Sequence, residues 1–271
     1  MRKLQKIKKV KTILFEVSEI ANYLWQRGWA ERNAGNISVN INHLIPKDTK
    51  IKLKKFNSFK LSVSYPDLAG MFLFVTGTGK RMRDIAKNPL KNALIIKINE
   101  TGDAYWIISQ KKNCKNFLPT SELPTHLSIH QQIVQNGSKN KVVIHTHTNE
   151  LVALTQTDEY CNQEKLNKLF FGMHPETIIF VPKGVGFVKY EMPGSETIAE
   201  KTIEILKKHD VALWEKHGVF AIGESVMDTF DIIDILAKSA RIFFMCKSAG
   251  FEPQGLNNNQ LAELKKAFNI A

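Results

Sequence analysis

The sequence predicts an α/β fold, a single domain whose central mixed, mostly antiparallel sheet is flanked by helices. Three observations predict it. Apolar residues recur at three/four spacing in several segments, the first being Ile13, Leu14, Val17, Ile20, Ala21 and Leu24. Between these segments stand short alternating or β-branched runs, such as Ile37, Val39 and Ile41, or "ALIIKI" at 93–98. Two such runs flank "NETGD", a hairpin signal with glycine in the loop. Strands and helices alternate irregularly and no linker divides the chain, so residues 1–271 are expected to form one domain with a basic leader at 1–11.

Taken in order, residues 12–28 read as an amphipathic helix ended by Gly28. "NAGNISVNI" at 33–41 runs from a small-residue turn into a strand, and residues 42–70, with Pro46 and Pro66, read as an irregular excursion. "MFLFVTGTGK" at 71–80 is a buried strand breaking into a glycine loop, followed by the strands 93–98 and 104–109. "SELPTHLSIHQQIVQ" at 121–135 becomes helical after Pro124, with Leu127, Ile133 and Val134 inward. "KVVIHTH" is a strand, "NELVALTQ" starts a helix, and the β-branched run "TIIFVP" at 177–182 reads as a strand. Residues 195–209 form a helix with Ser195 or Thr197 as its cap. Strands at 211–214 and 219–223 follow, then a helix over 225–250 opened by Ser225 and Asp228, and a last short helix after "EPQGLNNN".

Composition narrows the function classes. No stretch approaches the roughly 18–20 uncharged apolar residues of a membrane span. At the N-terminus Glu16, Ser18 and Glu19 interrupt the apolar run that a signal peptide requires. Cys114, Cys161 and Cys246 are scattered and make no CxxC pair, which argues against a disulfide framework and a cysteine zinc site and for a cytoplasmic setting. The formal charge of +12 is spread along the chain rather than gathered in one tail or stripe, so neither nucleic acid nor membrane is expected as a partner.

His145 and His147, two apart at the end of an apolar run, project from one face of a strand and can converge on a metal. Alone, such a pair is equally compatible with packing. Its surroundings exclude some familiar contexts. Glu150 comes three residues after His147, where a cupin needs four or five, and "HTHTNE" lacks the rest of an HxHxDH motif. A third ligand must come from elsewhere. His217 lies at a strand end beside a glycine, which suits a site on a sheet edge. His126 and His130, four apart on one helix, form a rival pair that also reads as a half-buried polar stripe. "TGTGK" is no nucleotide loop, because position 74, where that motif needs glycine, is Phe74.

In order and spacing, the blocks "RGWAERNAGNISVNI", "FVTGTGK", "PTSELPTHLSIH", "VVIHTHTNELVALT" and "LWEKHGVF" resemble the class II aldolase/adducin-head family, essentially end to end. The resemblance implies one Zn²⁺ per subunit on His145, His147 and His217, with Glu122 beside it. It implies retro-aldol cleavage of a phosphorylated ketose through an enediolate that the metal's charge stabilises, with Glu122 moving the proton at the nucleophilic carbon. Asn33, Asn36, Thr76, Gly77, Thr78, Thr120 and Ser121 would hold the substrate phosphate. Ala34 stands where the family commonly has glycine, and Thr78 where it commonly has serine; these departures bear on fine specificity. Glu176 is implied to serve the aldehyde oxygen, in its own or a neighbouring subunit's site, within a homotetramer. A Schiff-base mechanism would need a buried lysine, for which only Lys97 is a candidate. A non-catalytic binding module of the same family would have no reason to keep the three histidines and Glu122.

Overall fold

The computed structural model describes residues 8–46, 48–49, 51–109 and 117–270. Cys114 and the first seven residues of the basic leader lie outside the described residues. The chain falls into two compact units, one containing residues up to Ile144 with Gly223–Met227, the other His145–Ile222 with the residues from Asp228 onward.

In the first unit, helix α1 (Lys8–Gln26) starts earlier than its apolar spacing suggests. Val10 adds one more buried position a turn before Leu14, and Val17, Ile20, Ala21 and Leu24 continue the stripe. Gly28, at φ +73°, then reverses the chain, and the Trp29 N–H closes onto the Leu24 carbonyl. Five strands follow: β1 (Asn36–Asn40), β2 (Ser58–Lys60), β3 (Phe72–Thr76), β4 (Ala93–Ile98) and β5 (Ala104–Ile107). With the start of β6 (Val142–Thr146) they lie in the order β2-β5-β4-β3-β1-β6. The β1–β3, β3–β4, β4–β5 and β2–β5 pairings are all antiparallel, so the hairpin at "NETGD" forms and the excursion 42–70 supplies an edge strand. Helices α2 (Met82–Lys87) and α3 (Pro89–Asn92) lead into β4. Helix α4 (Leu123–Gln135) begins one residue before Pro124 rather than after it, because proline is tolerated in a first turn. Leu123 and Leu127 of α4 pack with Leu73, Val75, Leu94, Ile96 and Ile107 of the strands in one apolar cluster.

In the second unit, the end of β6 leads to α5 (Asn149–Leu154), α6 (Gln163–Met173), α7 (Pro175–Phe180), β7 (Gly186–Val188), α8 (Glu196–Leu206), β8 (Val211–Trp214) and β9 (Gly218–Gly223). Helices α9 (Val226–Ser248) and α10 (Asn258–Ala267) complete the chain. The strand order is β6-β9-β8-β7, with β8–β9 antiparallel and β7–β8 parallel. Ser195 caps α8 by accepting from the Ile198 N–H. The nine strands thus give the mixed, mostly antiparallel α/β architecture that the sequence predicts.

One element differs from its expectation. Residues 177–182 were expected as a strand, but Pro175–Phe180 is a single helical turn and a half. Pro175 fixes the first helical φ, and the Thr177 and Ser239 hydroxyls bond at 2.8 Å in the interior. Ile178 is buried. Tertiary contacts here override the β-branched preference of Thr-Ile-Ile. The strand of this region is β7 instead, where Gly186 is required: a Cβ there would lie 2.1 Å from Ile205.

Candidate metal centre and its surroundings

The second unit brings three histidines together. His145 is buried near the end of strand β6, and His147 follows two residues later on the same side. His217 arrives from the tight turn between β8 and β9, in which Lys216 takes a left-handed φ of +57° and its N–H is held by Thr155 Oγ1 at 2.8 Å. The ligand atoms of His145, His147 and His217 all lie within 4.8 Å of one another. His145 and His217 have ring centroids 5.3 Å apart, and His147 and His217 4.8 Å.

The residues fit a metal on three counts. Three imidazoles are the donor set of a catalytic zinc site that leaves positions for substrate. The His145 Nδ1–H donates to the Val219 carbonyl at 3.1 Å, which places the lone pair on Nε2, the usual outer-contact arrangement for a ligating histidine. Gly218 is the third count. A Cβ at this position would stand 2.5 Å from the Thr146 carbonyl oxygen and 3.2 Å from the His147 ring, so only glycine lets the two strands carrying the histidines approach. Phe220 stacks on His145 at 4.3 Å between centroids and Trp214 lies at 5.4 Å, giving the buried imidazole an apolar wall. The Trp214 Nε1–H is in turn held by Thr202 Oγ1 at 2.8 Å.

Other carboxylates of this unit are engaged elsewhere. Glu150, the acid nearest in sequence to the pair, accepts from Arg241 Nε at 3.1 Å. Glu176 is exposed in the first turn of α7, with Oε2 3.0 Å from His174 Nε2. Burial lowers the His174 pKa more than Glu176 raises it, so this contact is a hydrogen bond from a neutral imidazole rather than an ion pair.

The first unit holds the remaining candidates. Thr76 is buried at the end of β3 and its Oγ1 accepts the Ile37 N–H at 3.1 Å. Thr120 donates its N–H to the Thr76 carbonyl at 2.9 Å, and its Oγ1 accepts the Glu122 N–H at 3.3 Å. The Gly77 and Thr78 N–H groups donate to the carbonyls of Asn92 and Leu118, so the glycine loop presents side-chain hydroxyls more than those two amides. Asn33, Thr78 and Ser121 are exposed, whereas Asn36 is buried. Glu122, at the N-cap of α4, is partly buried and its Oε2 accepts from Asn36 Nδ2 at 2.8 Å.

The rival pair is not a second ligand cluster. His126 and His130 are fully buried rather than half-buried, and both bond to Ser38 Oγ, at 2.6 and 2.8 Å. The alternation in "NISVN" marks the polar phase that includes Ser38 as solvent-facing, whereas α4 covers it. Lys97 lies in β4, between β3 and β5, and pairs with Glu100 at 2.9 Å, which is not the apolar enclosure a Schiff-base lysine needs. Among the described residues no helix is long and apolar enough to cross a membrane.

Comparison with known proteins agrees with this geometry. Residues 15–244 match the family described as Class II Aldolase and Adducin N-terminal domain. A rhamnulose-1-phosphate aldolase of Bacteroides thetaiotaomicron is 41% identical over 256 residues, covering 94% of this chain and 93% of the relative. One of Yersinia pestis is 32% identical over 255 residues, covering 91% and 90%. Among solved structures, a sugar-phosphate aldolase from Thermotoga maritima superposes with a TM-score of 0.76 at 33% identity, covering 91% of this chain and all of that one. By matching sequence, by fold and by a histidine triad able to hold a metal, this chain belongs to the class II aldolase and adducin N-terminal domain family.

Proposed function

We propose that this protein is a zinc-dependent lyase that cleaves L-rhamnulose 1-phosphate to dihydroxyacetone phosphate and L-lactaldehyde, in cytoplasmic rhamnose catabolism. The observation that carries this reading is the 41% identity, over nearly the whole chain, to a relative named for that substrate. The convergent triad supports it, because a non-catalytic module needs no such cluster.

His145, His147 and His217 would hold the metal, which when bound supplies positive charge against the oxyanion that develops as the carbon–carbon bond breaks. Every other step falls to the chain's own side chains. In the cleavage direction the hydroxyl proton of the carbon that becomes the aldehyde is removed, and this role is assigned to Glu176. The electron pair of the broken bond passes to the carbon next to the ketone, and Glu122 then delivers a proton there to complete dihydroxyacetone phosphate. Asn33, Asn36, Thr76, Gly77, Thr78, Thr120 and Ser121 are assigned to the phosphate, with the helix N-terminus at α4 adding its partial positive charge. The reading includes a homotetramer, in which Glu176 serves its own or a neighbouring subunit.

A second reading keeps the chemistry and changes the sugar: L-fuculose 1-phosphate cleavage or L-ribulose 5-phosphate epimerisation. The discriminating experiment offers the purified protein each sugar phosphate and couples release of dihydroxyacetone phosphate to NADH consumption, with and without chelator. Chelator-sensitive release from L-rhamnulose 1-phosphate is expected. Preference for L-fuculose 1-phosphate, or conversion of L-ribulose 5-phosphate to its epimer without release of dihydroxyacetone phosphate, would select the second reading, and no chelator-sensitive release from any 1-phosphoketose would sink the aldolase reading.

A further inference from the structure

We propose that Ser38, His126 and His130 form a one-way hydrogen-bond relay that orients the Asn36 amide and, through it, fixes the Glu122 carboxylate for proton transfer. The inference rests on the reading of Glu122 as the group that handles the substrate proton. Its geometry lies wholly within the first unit.

Glu122, His126 and His130 are four apart in sequence, so they share one face along α4. Asn36 and Ser38 are two apart on β1 and share the facing side of that strand. Four contacts alternate between the two elements. Asn36 Nδ2 donates to Glu122 Oε2 at 2.8 Å, and Asn36 Oδ1 contacts His126 Nε2. His126 Nδ1 lies 2.6 Å from Ser38 Oγ, and Ser38 Oγ lies 2.8 Å from His130 Nε2. Asn36 is 6% exposed, Ser38 and His126 0%, and His130 1%, so the relay is shielded from solvent.

The proton positions along this chain are determined from one end. A carboxylate oxygen only accepts, so the amide must present its nitrogen to Glu122 and its oxygen to His126. His126 must then carry its hydrogen on Nε2, which leaves a lone pair on Nδ1. Ser38 supplies its single hydroxyl hydrogen to that lone pair, and its oxygen accepts from the Nε2–H of His130. Burial lowers the pKa of His130 to about 3, with repulsion from His126 as the smaller cause, so its imidazole stays neutral at physiological pH. With both rings neutral, reversing any one bond would set two donors or two acceptors against each other in a buried site. The relay therefore holds Asn36 in one amide orientation, with its N–H fixed on Oε2 of the Glu122 carboxylate. Ser38, His126 and His130 are positioning residues: they act on the reaction only through Asn36 and Glu122.

Two measurements test this. The first compares His126→Gln, whose amide nitrogen can stand where the Nε2–H stands, with His126→Asn, which reaches only the Nδ1 position. Turnover is read together with exchange of the dihydroxyacetone phosphate carbon-bound proton in deuterated water, which reports proton transfer without carbon–carbon cleavage. The Gln variant is expected to stay within about 10-fold of the parent in both, and the Asn variant to fall by about 10²-fold with little change in KM, the scale of a misplaced catalytic group. Equal losses in the two variants, or losses that simply follow the melting temperature, would overturn the positioning role. The second measurement needs no substrate. Histidine ¹⁵N spectra should show His126 and His130 as neutral Nε2–H tautomers from about pH 6 to 8, the range above the ordinary histidine pKa and around it. An Nδ1–H or cationic His126 in that range would overturn the relay. If the parent protein exchanges no proton and cleaves no sugar phosphate, the aldolase reading fails and the positioning of a substrate base fails with it, while the tautomers still decide the relay itself.

Discussion

The molecule contains two histidine groups whose resemblance in sequence ends in the structure. His145 and His147 sit two apart on a strand, and with His217 their ligand atoms converge within 4.8 Å. His126 and His130 sit four apart on a helix, but their ring nitrogens are strung in series on Ser38 and Asn36. Spacing put both pairs on one face of an element, so spacing alone could not separate them. The direction of the lone pairs separates them: a metal site needs them aimed at a common point, whereas the relay turns that of His126 onto the Ser38 hydroxyl. What stands opposite each pair sets that direction. Opposite β6 lies the glycine-opened start of β9, which admits a third imidazole. Opposite α4 lies a serine of β1.

The sharpest way to break this comparison is to remove one member from each group. His217→Ala should strip the metal and lower turnover by about 10³-fold or more, the several kcal/mol that a Lewis acid contributes. His126→Ala should retain the metal, whatever it does to turnover and stability. Metal analysis of the two purified variants checks both, and a metal-free His126→Ala beside a metal-loaded His217→Ala would exchange the two assignments. Next in size, Glu122→Gln should keep its metal while turnover falls by about 10²-fold, as expected for a lost general base or acid. Full activity in that variant would mean that the proton is handled elsewhere. Gly218→Ala probes the triad without touching a ligand. The added methyl meets the Thr146 carbonyl oxygen at 2.5 Å, so metal affinity should drop by about 10- to 100-fold, the scale seen when groups supporting a ligand are disturbed. Unchanged affinity in a metal titration would show that the approach of these strands does not set the site.

Most of this arrangement is legible in the sequence where local chemistry decides it. The α1 stripe, the hairpin at "NETGD", the Ser195 cap and the end of α1 at Gly28 all follow from residues within one turn of each other. The pair His145–His147 is legible as a possibility, and His217 as its partner through the family's order of motifs, since nothing local links residues seventy apart. The misread elements share one cause. Thr177, Ile178 and Ile179 suit a strand by propensity, but Pro175 before them and Ser239 opposite them fix a helical turn. Ser38 likewise looks solvent-facing in its strand until α4 is placed over it. In both cases the deciding partner is distant in sequence, and a pattern of neighbours carries no information about it.

The smallest predicted effect follows from the neutral state of the second group. The folded-state pKa of His130 lies near 3, well below the ordinary 6.5, because burial disfavours its charged form and His126 adds repulsion. A depressed pKa means that the unfolded chain binds the proton first. The contribution of His130 is therefore fully present above about pH 6.5 and is lost as pH falls from there toward 3, at up to about 1.4 kcal/mol per pH unit. At pH 5 the loss from this residue amounts to about 2 kcal/mol relative to pH 8. Urea unfolding of the parent protein and of His130→Gln at both pH values isolates it, because the amide can still donate to Ser38 but does not titrate. The variant starts less stable at pH 8 and should lose less on acidification by about that amount, since histidines outside the coupled pair, including His174 with its own lowered pKa, contribute equally to both proteins. If the two lose stability in parallel, His130 titrates alike in the folded and unfolded chain, it takes up a proton near pH 6.5, and it is not the sealed neutral end that the relay requires.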